Sequence, residues 1–218
     1  MMKQYPVNLN LEGKKCIVVG GGKVAQRKVF GLIECGAELV VISPKLVPKL
    51  RELSDKGVIQ YINRSYRRGD LKRAQLVVAS TNSTSVNRQV AKEASELGIL
   101  VNVVSAPGIS DFTVPGVLRR GEFTITVSTS GNSPALSRRL RVELESVFGE
   151  EYEVFTQILG KIRKKFQNIS PDYRKLVYTQ VAMSGIPMLL REKRVKEAEK
   201  ELKRITGLGF EEIELSLK

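Results

Sequence analysis

VVGGGKVAQRK, residues 18–28, is the stretch on which the fold turns. It completes the short apolar run Lys14–Gly20 (KKCIVVG), which reads as a buried strand. It also opens Lys23–Cys35, where Val24, Val29, Leu32 and Ile33 recur at helical spacing before Gly36 supplies a C-cap. Glu38–Ile42 (ELVVI) is a second apolar run, closed by Ser43-Pro44. Strand, helix and strand in so few residues make a βαβ unit, and a right-handed crossover between parallel strands is its default. The turn itself is Gly20-x-Gly22-x-x-Ala25. The first glycine allows a tight turn, the second lets backbone approach a pyrophosphate, and the small Ala25 lets helix and strand pack closely. The first-turn N–H groups and the helix dipole then favour an anion. In this strand–turn–helix setting the motif reads as a nucleotide site, where an isolated match would not.

Working outward, the alternation continues. Leu46–Lys56 reads as a helix, Val58–Ile62 and Gln75–Ala79 as strands, Thr84–Leu97 as a helix capped by Gly98, and Ile99–Val104 as a fifth strand. The fold class is therefore α/β, a Rossmann-type doubly wound parallel sheet over a first domain, residues 1–112. Beyond Pro107 the pattern changes. Glu122–Ser128 alternates apolar and polar residues like a half-exposed strand, and Ser128–Pro134 (STSGNSP) is a polar loop. Ser133-Pro134 forms an N-cap and N1 pair for a helix through Val147. Residues 113–148 make a middle segment. Residues 149–218 show helical periodicity, a break at Pro171 and no strand pattern, as a small all-helical C-terminal domain would.

Composition narrows the chemistry. No apolar stretch reaches the length of a membrane span, and the N-terminus lacks the apolar run of a signal peptide, so a cytoplasmic protein is expected. The chain has no histidine, which removes the commonest general base and transition-metal ligand; no metal site is expected. Cys16 and Cys35 read as apolar fillers. The net charge is +13, with +10 of it in residues 1–148, which suits either a polyanionic ligand or simply a solvated basic surface. The carboxylate that commonly grips the adenosine ribose at the end of the second strand is absent; Ser43, Pro44 and Lys45 stand there, leaving NAD and NADP both open on these residues.

Several segments together resemble the precorrin-2 dehydrogenase / sirohydrochlorin ferrochelatase family, which includes the N-terminal module of siroheme synthase. They are Pro6–Leu9, Leu11–Lys14, VVGGGKVAQRK, GAELVVISP (36–44), Ala79–Asn82, Val101–Val104, Phe112–Pro115, STSGNSP and SRRLRVELE (137–145). The resemblance runs in order through residues 1–148. It implies oxidation of precorrin-2 to sirohydrochlorin with NAD, with iron insertion in some members, and a homodimer built through residues 113–148. By position it places Gly20, Gly21, Gly22, Lys23, Val24, Ser43 and Pro44 around NAD, with Thr81 and Asn82 near the ribose or nicotinamide. A tetrapyrrole rimmed by carboxylates would account for the basic charge. Asn102, Arg119, Arg120, Ser128, Thr129, Ser130, Gly131, Ser133 and Arg138 are its candidate binding residues, with Arg139 and Arg141 in the same arginine cluster.

One departure bears on mechanism. Relatives often carry aspartate directly after the Asn-Val-Val segment, and this chain has Ser105. Ser105 and Asp111 are the catalytic candidates, with Asp111 either a substitute carboxylate or a loop-capping residue. Hydride transfer can proceed without a strong base, whereas metal insertion must remove pyrrole protons, so dehydrogenation is expected and chelation is in doubt. Two other readings compete. One is a non-enzymatic NAD-sensing module, which would not need the STSGNSP loop or the arginine cluster. The other is a nucleic-acid binder, disfavoured because no binding motif accompanies the charge and aromatic residues are only 6%.

Overall fold

Short strands that are apolar on both faces need cover on both, and the chain supplies it by alternating strands with helices. The computed structural model describes residues 4–215. It divides into two compact units between Val114 and Pro115. The first contains β1 (Lys15–Val19), α1 (Lys23–Ile33), β2 (Glu38–Ile42), α2 (Pro48–Asp55), β3 (Gln60–Ile62), β4 (Leu76–Ala79), α3 (Thr84–Leu97) and β5 (Leu100–Val103). The sheet order is β3-β2-β1-β4-β5, with every pair parallel. One face buries Ile17, Val19, Val77, Ala79, Val101 and Val103 with Val90 and Ala94 of α3. The opposite face buries Cys16, Val18, Leu39, Val41 and Val78 with Ala25 and Val29 of α1 and Leu50 of α2. Burial, then the neighbouring Cys35, pushes the Cys16 thiol up to about 11, so it stays protonated and acts as a core residue.

This order positions the site. The chain builds β1, β2 and β3 in one direction, then returns to lay β4 on the other side of β1. The crevice at the C-terminal ends of β1 and β4 is thus the topological switch point, where ligands of such sheets bind.

Some boundaries are shorter than the periodicity suggests, for local reasons. Pro48 begins α2 because its fixed φ suits the first helical position. Val58 and Ile59 donate to the Leu53 carbonyl across Gly57 (φ +70°), so they close α2 instead of extending β3. The Thr84–Leu97 helix is as expected, with Ser83 accepting from Val86 N–H and Gly98 left-handed at its end.

The second unit starts with an antiparallel hairpin of β6 (Gly116–Arg120) and β7 (Phe123–Val127). β6 is a strand the periodicity did not single out. Its two-residue connection has Gly121 first at φ +54°, as a type II′ turn requires. Helices α4 (Pro134–Val147), α5 (Glu151–Lys165), α6 (Pro171–Ala182), α7 (Ile186–Arg191) and α8 (Val195–Thr206) follow. Phe155, Ile158 and Ile162 of α5 form a core with Val177, Val181, Ile186, Ala198 and Leu202, closed by Phe210 and Ile213. Helix α4 differs: none of its residues is buried. Leu136, Leu140, Val142 and Val147 stay 36–53% exposed on it.

Candidate dinucleotide and active site

The three glycines between β1 and α1 have different physical reasons. Gly20 has φ +126°, and a Cβ there would stand 2.7 Å from the Ser80 carbonyl oxygen. A Cβ on Gly21 would fall on the Lys45 carbonyl oxygen and reach within 2.8 Å of Ser43 Oγ. Gly20 and Gly21 are therefore small because neighbouring loops occupy the space. Gly22 is small with nothing within 4 Å of where its Cβ would be. It is the N-cap of α1, with no side-chain cap and no acidic residue in the first turn. An open approach to a helix N-terminus free of negative charge is the cradle a pyrophosphate needs, so these residues fit a dinucleotide.

The loop after β2 closes against this turn. Val47 N–H donates to the Gly21 carbonyl (2.9 Å), and Gly20 N–H to that of Ile42 (2.9 Å). Ser43 is 7% exposed; its hydroxyl donates to the Lys45 carbonyl at 2.8 Å. Its side chain thus shapes the loop, while Pro44 and Lys45 are exposed beside it. No acidic residue ends β2. Lys23 is exposed and Val24 half-buried in the first turn of α1.

On the other side of the crevice, Ser80 N–H donates to the Val19 carbonyl (2.8 Å) and sets the end of β4 beside the glycine turn. Thr81 follows, held by Asn87 of α3, and Asn82 is exposed at the loop. Asn87 also donates to Ser105 Oγ at 3.3 Å. It was missed in the sequence. The available signal is that it lies three and four residues before Val90 and Ala91, inside the apolar stripe of α3, where a polar residue needs partners.

The two catalytic candidates lie in different settings. Ser105 is exposed just beyond β5. Asp111 accepts from Val101 N–H through Oδ2 (2.9 Å), and its own N–H donates to the Val101 carbonyl (2.8 Å). That carboxylate is engaged with the free edge of β5. Asn102 is buried; its Nδ2 donates to the Phe112 carbonyl at 2.9 Å, and its Oδ1 has no partner among the described residues.

In the second unit, the STSGNSP loop is organised by its own hydroxyls. Thr129 Oγ1 accepts from Ser133 N–H (3.0 Å) and pairs with Ser137 Oγ, while Ser128 Oγ accepts from Ser130 N–H (3.2 Å). Ser130 and Gly131 have φ of +51° and +86°, and Ser133 caps α4 by accepting from Leu136 N–H. Arg139 and Arg141 pair with Glu143 and Glu145 one turn on, and Arg120 Nε lies 3.3 Å from Glu150. Arg119 is exposed. Arg138 is exposed and makes no ion pair with another described residue, which leaves its charge available to a ligand. Among the described residues no cluster of three or more His, Cys, Asp or Glu is arranged to hold a metal ion. None of their helices is long and apolar enough to cross a membrane.

Comparison with known proteins agrees with this geometry. An NAD(P)-binding family model matches residues 7–116, and a model for the central part of sirohaem biosynthesis proteins matches residues 120–146. A siroheme synthase of Nitrosococcus oceani is 36% identical over 96% of this chain and 45% of its own length. One of Methylobacillus flagellatus is 33% identical over 85% of this chain and 40% of its own. The chain thus spans under half the length of these curated relatives. Among solved structures, SirC, a precorrin-2 dehydrogenase, superposes with a TM-score of 0.76 at 27% identity, covering 94% of this chain and 100% of that one. The chain belongs to the family its residues resemble, the NAD(P)-binding siroheme biosynthesis proteins of the precorrin-2 dehydrogenase / sirohydrochlorin ferrochelatase family.

Proposed function

We propose that this protein oxidises precorrin-2 to sirohydrochlorin with NAD, in the cytoplasm, as a step of siroheme formation. The observation that carries the reading is the open, uncharged face of Gly22 at the N-terminus of α1, set at the switch point of the sheet. The first-turn N–H groups would take the pyrophosphate. Thr81 and Asn82, beyond β4, would border the ribose and nicotinamide. When bound, the nicotinamide supplies the hydride acceptor. Two hydrogens leave the macrocycle, one as hydride and one as a proton released to solvent, so no strongly basic side chain is required. The residues mainly hold the two reactants together.

Arg138, with Arg119, Arg120 and the hydroxyls of Ser128, Thr129, Ser130 and Ser133, would bind carboxylates of the tetrapyrrole. A homodimer belongs to the same proposal. It is supported by the apolar residues left uncovered on α4 and by Val117 of β6, 36% exposed. NAD rather than NADP rests on the family resemblance. The deciding experiment is optical: protein, NAD and enzymatically generated precorrin-2 should yield the sirohydrochlorin spectrum. A dinucleotide sensor or a nucleic-acid binder would leave the spectrum unchanged.

A further inference from the structure

Asn87 is 2% exposed and uses all four hydrogen-bonding positions of its amide. Oδ1 accepts from Thr81 N–H (3.2 Å) and Thr81 Oγ1 (2.7 Å). Nδ2 donates to the Thr81 carbonyl (3.0 Å) and to Ser105 Oγ (3.3 Å). One buried side chain therefore ties the end of β4 to the residue beyond the end of β5. The amide has only one workable orientation, because Thr81 N–H can only donate and its carbonyl can only accept. A flip would set N–H against N–H and oxygen against oxygen.

A consequence follows for Ser105. Its oxygen already receives a hydrogen bond from Nδ2, so its own hydrogen must point elsewhere, and the residue is exposed. A hydroxyl that accepts one bond is a stronger donor of the next. We infer that Asn87 is a positioning residue that holds Ser105 as a hydrogen-bond donor to a carboxylate of the bound tetrapyrrole, so that Ser105 orients substrate and takes no proton. The inference rests on the dehydrogenase reading above.

The test compares the wild type with Ser105→Ala, Ser105→Thr, Asn87→Ala and the Asn87→Ala/Ser105→Ala pair. The readouts are kcat and KM for precorrin-2, and NAD affinity by calorimetry. Ser105→Ala should lower kcat/KM about tenfold, the worth of one hydrogen bond to a charged group, with NAD affinity unchanged. The loss should be the same factor at about pH 6.5 and about pH 8.5, since a donor hydroxyl does not titrate there. Ser105→Thr, which keeps the hydroxyl, should recover most of the rate. The double variant should lose no more than Asn87→Ala alone, because without Asn87 the Ser105 hydroxyl is no longer held and its removal costs nothing further. Losses that multiply, a Ser105→Thr as slow as Ser105→Ala, or a pH-dependent loss would overturn the inference. Should Asn87→Ala fail to fold, the Ala and Thr variants at position 105 still decide. An inactive wild type would sink the dehydrogenase reading, and this inference with it; an active wild type with undiminished Ser105→Ala would sink the inference alone.

Discussion

Replacing Gly22 by aspartate should remove dinucleotide binding and leave the fold intact or slightly firmer. The position is the N-cap of α1, at φ −87° and ψ −174°, an extended conformation that aspartate adopts readily. Nothing lies within 4 Å of the new Cβ, so no packing is disturbed. The carboxylate would face first-turn N–H groups that have no side-chain cap, and exchanging glycine for aspartate at such a site gains a few tenths of a kcal/mol. For the ligand the same charge is adverse. A carboxylate about 4 Å from one phosphate charge costs about 4 kcal/mol at an effective dielectric of about 20. Solvent exposure of the turn reduces this, and half of it still weakens binding by more than about tenfold, the whole by about a thousandfold. Gly22→Asn, which caps the helix without charge, should lose much less.

Gly21→Ala should behave in the opposite way. Its Cβ meets the Lys45 backbone, so overpacking costs about 1–3 kcal/mol and the melting temperature falls by several degrees. Thermal melts and calorimetry with NAD on the three variants separate these outcomes. A folded Gly22→Asp protein with wild-type affinity for NAD would show that the pyrophosphate is bound elsewhere.

Four further outcomes are expected. NAD should bind more tightly than NADP; a calorimetric preference for NADP would assign Lys45 to a 2′-phosphate. Light scattering should give twice the 24.3 kDa chain mass, and Val142→Arg, at a position 51% exposed on α4, should give a folded monomer; a wild-type monomer at micromolar concentration refutes the dimer. Iron or cobalt insertion into sirohydrochlorin should be slow in the wild type and faster in Ser105→Asp, since a carboxylate base contributes about 10²–10⁴-fold. Rapid insertion by the wild type that Asp111→Ala does not slow would refute the carboxylate argument. Finally, the hydrogen bond from Arg64 holds the Asp70 carboxyl below its ordinary range, against its partial burial. A depressed folded pKa gives stability that is present above the ordinary carboxylate pKa and lost as pH falls through the folded value. The gap in melting temperature between wild type and Asp70→Asn should hold from about pH 7 to about pH 5 and shrink below about pH 4; a constant gap down to about pH 3 would contradict it.

Much of the first unit was legible because its signals are local. β1, α1, β2 and α3 follow from apolar runs, helical spacing and caps that sit within the segments they end. β6 was not, since Val117, Arg119 and Arg120 are partly or largely exposed and a strand of that kind is defined by its partner β7. The glycine run pointed to a nucleotide because the type and spacing of those residues are themselves the requirement. The same spacing named Gly22 as the glycine that approaches a pyrophosphate, while the crowding around the other two could not be read from it. Gly20 and Gly21 are crowded by Ser80 and Lys45, residues distant in sequence, and only the returning chain shows that Gly22 alone faces open space.

Asp111 and Asn87 show the same division. Asp111 reads from sequence as either a substitute carboxylate or a loop cap, and only the structure shows one of its oxygens accepting from Val101 N–H at the edge of β5; Asn87 looks like one more polar helix residue until Thr81 and Ser105 converge on it. Sequence alone determined the βαβ framework and the glycine turn that suits a dinucleotide, because periodicity and glycine spacing act over a few residues. Tertiary structure decided which polar groups are spent on the fold and which stay exposed, because a hydrogen bond is a statement about a few ångströms between residues the chain order keeps apart.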